Sequence, residues 1–244
     1  MKITVVGYWH GYPEKGEATS GYLLEKNGYH LLLDCGSGVI SNVQRFCSLD
    51  QLDGIVLSHY HHDHKADIGV FHYARIIQHS LGKTMKNAAI YGHRQDEASF
   101  QSLAYGNVVE AKSYSDTGPL QIGPFSFTFL LTNHPVPCYA MRIEDGERSF
   151  VYTADSSYME ELATFAHECD LLIAECSGYG SQDVAQFGHM NSYDVGKLAT
   201  KAQAKKLLLT HLPHAGDHEQ LRDETATIYH GDISVARLGW TNEG

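Results

Sequence analysis

The stretch Asp53-Gly54-Ile55-Val56-Leu57-Ser58-His59-Tyr60-His61-His62-Asp63-His64 decides how this chain is read. Its first half, Gly54–Ser58, is a short apolar run of the kind that forms a buried strand. Its second half puts His59, His61, Asp63 and His64 on the loop leaving that strand, where an α/β architecture carries its chemistry. The spacing H-x-H-x-D-H supplies imidazole nitrogens and a carboxylate oxygen, the donors favoured by zinc and its first-row neighbours. Side chains of an extended loop alternate with period two, so His59 and His61 point the same way and can share one ion. Asp63 and His64 come directly after, placed for a second ion. Surface histidines explain one or two such residues, but not this many ligand side chains in this register. His62 points opposite to its neighbours in such a loop and is read as supporting a ligand or as structural.

Working outward, the chain reads as one continuous α/β domain over residues 1–244, without linker, repeat or low-complexity segment. Strands are expected at Lys2–Gly7, Gly21–Lys26, Tyr29–Asp34, Ala88–Tyr91, Gly123–Leu131, Tyr139–Glu144, Ser149–Thr153, Leu171–Glu175, Lys206–Thr210 and Ser234–Leu238. Asn27-Gly28 is a hairpin signal. Asp34-Cys35-Gly36-Ser37-Gly38 lacks the lysine and spacing of a phosphate loop and reads as a sharp turn. Helices are expected over Ala66–Ser80 and Met159–His167, after Ser192 and after Asp217. In the helix after Ser192, Val195, Leu198, Ala199 and Ala202 share a face, with Asn191 or Ser192 as N-cap.

The formal net charge of −11 argues against an extended basic surface that would track a nucleic-acid backbone. The N-terminus lacks the apolar region of a signal peptide, and no run approaches a membrane span. The 5 cysteines are scattered, with no C-x-x-C pair, and fit free thiols of a reducing, cytoplasmic compartment.

The motif, together with residues further along the chain, resembles the metallo-β-lactamase-fold hydrolases, and among them the tRNase Z-like phosphodiesterases. The likeness covers nearly the whole chain. The family's ligand order continues with His134 in Leu131-Thr132-Asn133-His134, Asp155 in Tyr152-Thr153-Ala154-Asp155, and His211 in Leu207-Leu208-Leu209-Thr210-His211. The resemblance implies a four-layer αββα sandwich and two divalent metal ions. It assigns one ion to His59, His61 and His134 and the other to Asp63, His64 and His211, with Asp155 bridging. Zinc suits these ligands first, and manganese or iron also accords with two carboxylates among them. Such ions would activate a shared hydroxide, which Asp63 could orient or deprotonate.

His189, in Gly188-His189-Met190-Asn191, resembles the histidine that tRNase Z-like enzymes hold near the leaving-group oxygen, a general acid. Glu175 matches the acidic residue that supports it, orienting the ring and favouring the imidazolium. Pro13 and Lys15 match the family's P-x-K-x-R-N loop, so Lys15 is a candidate phosphate contact, but Glu17 and Ala18 replace the Arg and Asn. His10, Trp9 and Tyr12 lie near Lys15 in sequence, and His214 and His218 come after the last ligand. His134 and Asp155 are 21 positions apart (155 − 134), which leaves no room for a tRNA-gripping arm. The expected activity is therefore hydrolysis of a small phosphodiester, cyclic ones included, or of a single-stranded one. Lactone, ester or thioester hydrolysis and tRNA 3′-processing are the alternatives. No membrane partner is expected, and a homodimer is left open.

Overall fold

Backbone polarity has to be satisfied wherever these apolar segments are buried, and two separate sheets do this. The computed structural model describes residues 1–243. It divides into two units, residues 1–115 with the segment from Arg237, and Asp116–Ala236.

In the first unit β1 (Lys2–Gly7), β2 (Gly21–Lys26), β3 (Tyr29–Leu33), β4 (Leu52–Val56), β5 (Ala88–Gly92) and β6 (Val109–Ser113) lie side by side in that order. Pairing is antiparallel from β1 to β3 and parallel from β3 to β6. Asn27 and Gly28 turn β2 into β3 with φ of 52° and 76°, the two left-handed residues that a tight hairpin turn needs. The helices are α1 (Val39–Val43), α2 (His62–Lys65), α3 (Ile68–Ser80) and α4 (Glu97–Gln101). Leu23, Leu32, Ile55 and Ile90 of the sheet share a buried cluster with Val39 and Val43 of α1 and Phe71 of α3. Their strand neighbours Leu24, Leu31, Leu33 and Val56 are fully buried as well, so these strands read as unbroken apolar runs.

The second unit has β7 (Leu120–Ile122), β8 (Phe125–Leu131), β9 (Tyr139–Glu144), β10 (Ser149–Tyr152), β11 (Leu171–Glu175), β12 (Lys206–Thr210) and β13 (Asp232–Val235). The sheet order is β13-β12-β11-β10-β9-β8-β7. Pairing is antiparallel from β7 to β10 and parallel from β10 to β13. Because β8 and β10 are both antiparallel to β9, β8 runs with β10, β11 and β12. All four therefore end on one edge of the sheet. The helices are α5 (Glu160–Phe165), α6 (Ser192–Ala202) and α7 (His218–Ala226).

Several boundaries differ from expectation for local reasons. The extended loop ends at His61, whose carbonyl accepts from the backbone N–H of His64 (3.0 Å) and Lys65 (3.1 Å), so His62–Lys65 form a helical turn. The next helix begins at Ile68 rather than Ala66, after Asp67, whose carbonyl accepts from Phe71 N (2.8 Å). The last strand is Asp232–Val235 rather than Ser234–Leu238, in register with Lys206–Leu209. The strands β6 and β7 and the helix α4 were not anticipated. β6 is mostly exposed, and β7 is an edge strand of 3 residues.

The α6 start agrees closely with its sequence. Asn191 Oδ1 accepts from Tyr193 N and Asp194 N (both 3.0 Å), and Asp194 Oδ2 accepts from Asn191 N (3.5 Å). Buried Val195, Leu198, Ala199 and Ala202 form the expected apolar stripe. Asn191→Ala should cost about 1 kcal/mol, as loss of an N-cap does, and Asn191→Asp should recover most of it. Urea denaturation checks this: a lower midpoint at unchanged slope is expected, and an unchanged midpoint would remove the cap from the account.

Candidate metal centre

In the first unit the parallel neighbours β3 and β4 end together, with Leu33 opposite Val56. The chain leaves β3 at Asp34, a non-glycine residue in the left-handed region (φ 56°). Its fully buried carboxylate accepts from Ser58 N (2.7 Å) and Ser58 Oγ (2.8 Å), and it meets His64 Nδ1 at 2.7 Å. Ser58 Oγ in turn lies 3.0 Å from His59 Nδ1. The His59 ring packs 4.8 Å from the His61 ring and 4.2 Å from that of His64, centre to centre. Asp63 Oδ2 accepts from Gly11 N (3.0 Å) and stands 3.7 Å from His64 Nε2. His59, His61, Asp63 and His64 are thus one group, as the motif implies.

The glycine-rich turn closes against this group. A Cβ on Gly36 would stand 2.0 Å from the Asp63 carbonyl oxygen, so only glycine fits and the turn serves close packing. Lys15 is exposed in a turn closed by Glu17 N donating to Glu14 O (2.9 Å). His62 is exposed rather than structural, because the helical turn points it outward.

In the second unit the ends of β8, β10, β11 and β12 deliver His134, Asp155, Glu175 and His211 to one edge. Ala154 and His211 both occupy the left-handed region (φ 51° and 53°), which turns each chain sharply at its strand end. Such residues cost on the order of 1–3 kcal/mol each and persist only where their surroundings hold them. Asp155 Oδ2 lies 3.9 Å from His134 Nε2, and Asp155 Oδ1 lies 3.6 Å from His211 Nε2. Each carboxylate oxygen therefore faces a different imidazole.

The opposite ring nitrogens are held by the protein. His134 Nδ1 meets the Gly188 carbonyl at 3.1 Å, and His211 Nδ1 meets Ser177 Oγ at 2.9 Å. Burial is the main cause that pushes the His134 imidazole down, and nearby Asp155 opposes it, so the ring favours its neutral, ligating form. Glu175, fully buried, meets His189 Nδ1 at 2.9 Å through Oε1. Oε1 also accepts from Ser156 N (2.9 Å), and Oε2 accepts from Ser177 Oγ (2.6 Å). The His189 ring lies 5.3 Å from that of His134 and 5.5 Å from that of His211.

These donors fit a metal. Nitrogen and oxygen ligands about 2.0–2.2 Å from one ion stand roughly 3–4 Å apart. The separations of 3.6–3.9 Å around Asp155 and 3.7 Å between Asp63 and His64 match that spacing. They are too long for hydrogen bonds. Donor atoms of Asp155, Glu175 and His189 also gather within 4.8 Å. Both Glu175 oxygens already accept hydrogen bonds, however, which suits that residue to support rather than ligation. His218 Nε2 is bound to the Pro213 carbonyl (2.7 Å), which accounts for one of the histidines after the last ligand. Asp34, Ser58, Ser177 and the Gly188 carbonyl were not singled out from the sequence. Their roles depend on which strand ends meet, and no spacing along the chain encodes that.

Comparison with known proteins identifies the family. The model of a β-lactamase superfamily domain matches residues 29–212. The probable metallo-hydrolase YhfI of Bacillus subtilis is 48% identical over 244 residues, all of both chains. The crystal structure of that metallo-β-lactamase fold protein superposes with a TM-score of 0.97 at 47% identity, covering 98% of each chain. The short form of human tRNase Z gives 0.77 at 19% identity, over 99% of this chain and 98% of that one. A diphosphatase of the PhnP family gives 0.78 at 18%, over 100% and 97%. At such identities these last two show the fold alone. The two mixed sheets and their helices are those of the metallo-β-lactamase fold.

Gly188 provides a test of how the second group is held. It sits at φ 79°, and a Cβ there would lie 2.5 Å from Pro135 Cδ and 2.8 Å from His134 Nδ1. Gly188→Ala should cost about 1–2 kcal/mol from the backbone alone and displace His134. Thermal unfolding and metal content by mass spectrometry should both fall. A variant with full metal content and unchanged Tm would show that the close approach is dispensable.

Proposed function

This chain belongs to the β-lactamase superfamily, and from that premise we propose that it is a dinuclear metal-dependent phosphodiesterase acting on a small phosphodiester. It is a metallo-hydrolase of that fold; the substrate, the metal and the residue roles are the proposal. In this reading residues 1–244 act as one domain. His59, His61 and His134 would hold one ion and Asp63, His64 and His211 the other, and Asp155 would contribute its carboxylate to both. Zinc is the first choice for these donors. When bound, the ions supply Lewis acidity to the phosphoryl group and to water.

The observation that carries the phosphodiester reading is the His189–Glu175 pair. Alkoxide is a poor leaving group, and a histidine held through Nδ1 by a buried carboxylate (2.9 Å) can keep a proton on Nε2 for it. Asp63, which accepts from Gly11 N at 3.0 Å, is the proposed acceptor of a proton from attacking water. Lys15, exposed on the loop that also contains Gly11, is the proposed phosphate contact.

Two observations favour a small substrate. The interval between His134 and Asp155 contains only the hairpin of β9 and β10, with no inserted arm. The formal charge of −11 opposes an extended polyanion. The 5 cysteines are all buried and free, which supports a reducing compartment such as the cytoplasm. Among the described residues no helix is long and apolar enough to cross a membrane.

Metal-loaded protein tested against cyclic nucleotides, bis(p-nitrophenyl) phosphate, lactones and pre-tRNA separates the readings. Turnover confined to lactones, or preference for pre-tRNA, would displace this one. His189→Ala should keep metal and fold but lower kcat on alkoxide-leaving phosphodiesters by about 10²–10⁴-fold. The same variant should lose far less on a nitrophenyl ester, whose leaving group needs little protonation. Equal losses on both would make His189 a binding residue.

Asp155→Ala should cost more than any single histidine change, because neighbouring cations would repel strongly without the carboxylate they share. Metal content and turnover are expected to fall together. Retention of two ions with near-normal turnover would refute the bridge.

A further inference from the structure

Each unit contains the same small device, built from different strands. A fully buried carboxylate stands at the end of one parallel strand: Asp34 after β3, Glu175 at the end of β11. The next parallel strand leads to a histidine: His59 beyond β4, His211 after β12. Between carboxylate and imidazole lies a serine hydroxyl. Ser58 Oγ donates to Asp34 Oδ2 (2.8 Å) and meets His59 Nδ1 at 3.0 Å. Ser177 Oγ donates to Glu175 Oε2 (2.6 Å) and meets His211 Nδ1 at 2.9 Å. In both units the carboxylate also takes a second histidine directly through Nδ1, His64 at 2.7 Å and His189 at 2.9 Å. A backbone N–H completes each hub, from Ser58 (2.7 Å) and from Ser156 (2.9 Å).

A hydroxyl has one proton to give, and a carboxylate can only accept. With the serine proton committed to the carboxylate, the oxygen can offer the imidazole only a lone pair. The ring nitrogen facing it must then be the one that bears hydrogen. Ser177 Oγ also lies 3.3 Å from the His211 carbonyl, but the 2.6 Å charge-assisted bond to Glu175 is the shorter and stronger. The direction of the chain is thus set at its buried end.

We propose that Ser58 and Ser177 are matched positioning residues that lock His59 and His211 in the Nδ1–H tautomer, so that each ring presents Nε2 as an unprotonated donor. The consequence for metal binding rests on the dinuclear reading above, whereas the tautomer itself does not. A metal ligand must offer a lone pair, and a ring free to change tautomer spends part of its time offering N–H instead. Loss of partners that orient a ligand in this way typically lowers metal affinity about 10–100-fold.

The metal-free protein provides the first readout. Long-range ¹H–¹⁵N correlation spectra of ¹⁵N-histidine-labelled protein should show Nδ1–H for His59 and His211. Ser58→Ala should release His59 alone into a mixture of tautomers, and Ser177→Ala should release His211 alone. The threonine variants, which keep the hydroxyl, should restore the native pattern. Zinc affinity measured by chelator competition should fall about 10–100-fold in each alanine variant and recover with threonine. Native spectra with His59 or His211 protonated on Nε2 would overturn the proposal, as would alanine variants with unchanged tautomers. Native protein that shows the predicted tautomers but binds no zinc would instead defeat the dinuclear reading and leave the serine assignment standing. Threonine variants that fold but behave like alanine would also overturn it, since the hydroxyl would then not be the acting group.

Discussion

Glu175 is the constraint on which the second unit depends. It ends β11 with no exposed surface, and an unsatisfied carboxylate in such a place would cost several kcal/mol. Its oxygens are instead met by Ser156 N, His189 and Ser177. Those partners come from the turn after β10, from the segment before α6 and from the loop after β11 itself. Satisfying one carboxylate therefore draws together three separate stretches of chain. Further backbone bonds hold the same place: Ser177 N donates to Met190 O (3.0 Å) and Ser192 N to Gly178 O (3.0 Å). They carry His189 to Glu175 before any ligand is considered. Asp34 does the equivalent in the first unit, joining the end of β3 to Ser58 and His64.

Placing imidazoles and carboxylates so closely requires strand ends that turn at once. Asp34, Ala154 and His211 accept left-handed backbone conformations for this, and Gly36 and Gly188 give up a side chain altogether. Each is a local cost to folding, and each lies beside a proposed metal ligand or is one. The compensation comes from the strands behind them. Leu31–Leu33, Val151, Leu172–Ala174 and Leu207–Leu209 are essentially inaccessible to solvent. Fully burying each leucine, isoleucine or valine among them is worth about 1.5–3 kcal/mol. Rigid apolar strands thus hold strained, polar ends in place, a division of labour expected at functional sites.

That division also explains what could be read in the sequence. The parallel strands are unbroken apolar runs, so Gly54–Ser58, Leu171–Glu175 and Lys206–Thr210 were legible along with the residues just after them. The hairpin at Asn27-Gly28 and the α6 stripe were legible because turn chemistry and helical period are local. β6 escaped notice because its side chains are mostly exposed, and β7 because its 3 residues lie at a sheet edge. The ligand order was recognisable by resemblance, but the supporting residues were not. Ser58 is one serine beside a motif and Ser177 one serine near a glutamate. Their roles exist only because β4 ends beside β3 and β12 beside β11.

The sharing of Glu175 bears on how the second unit can be dissected. Through Oε1 it holds His189, the proposed acid, and through Ser177 it reaches His211, a proposed metal ligand. A change at Glu175 therefore disturbs both roles at once, and its effect cannot be divided between acid catalysis and metal retention. Residues joined in one network show coupling energies of about 0.5–3 kcal/mol, so single losses there do not add. His189 and Ser177 sit on opposite oxygens of the same carboxylate, and each can be altered while the other keeps its bond. The two arms, rather than the hub, are where the proposed proton-donating and metal-holding roles of this edge separate.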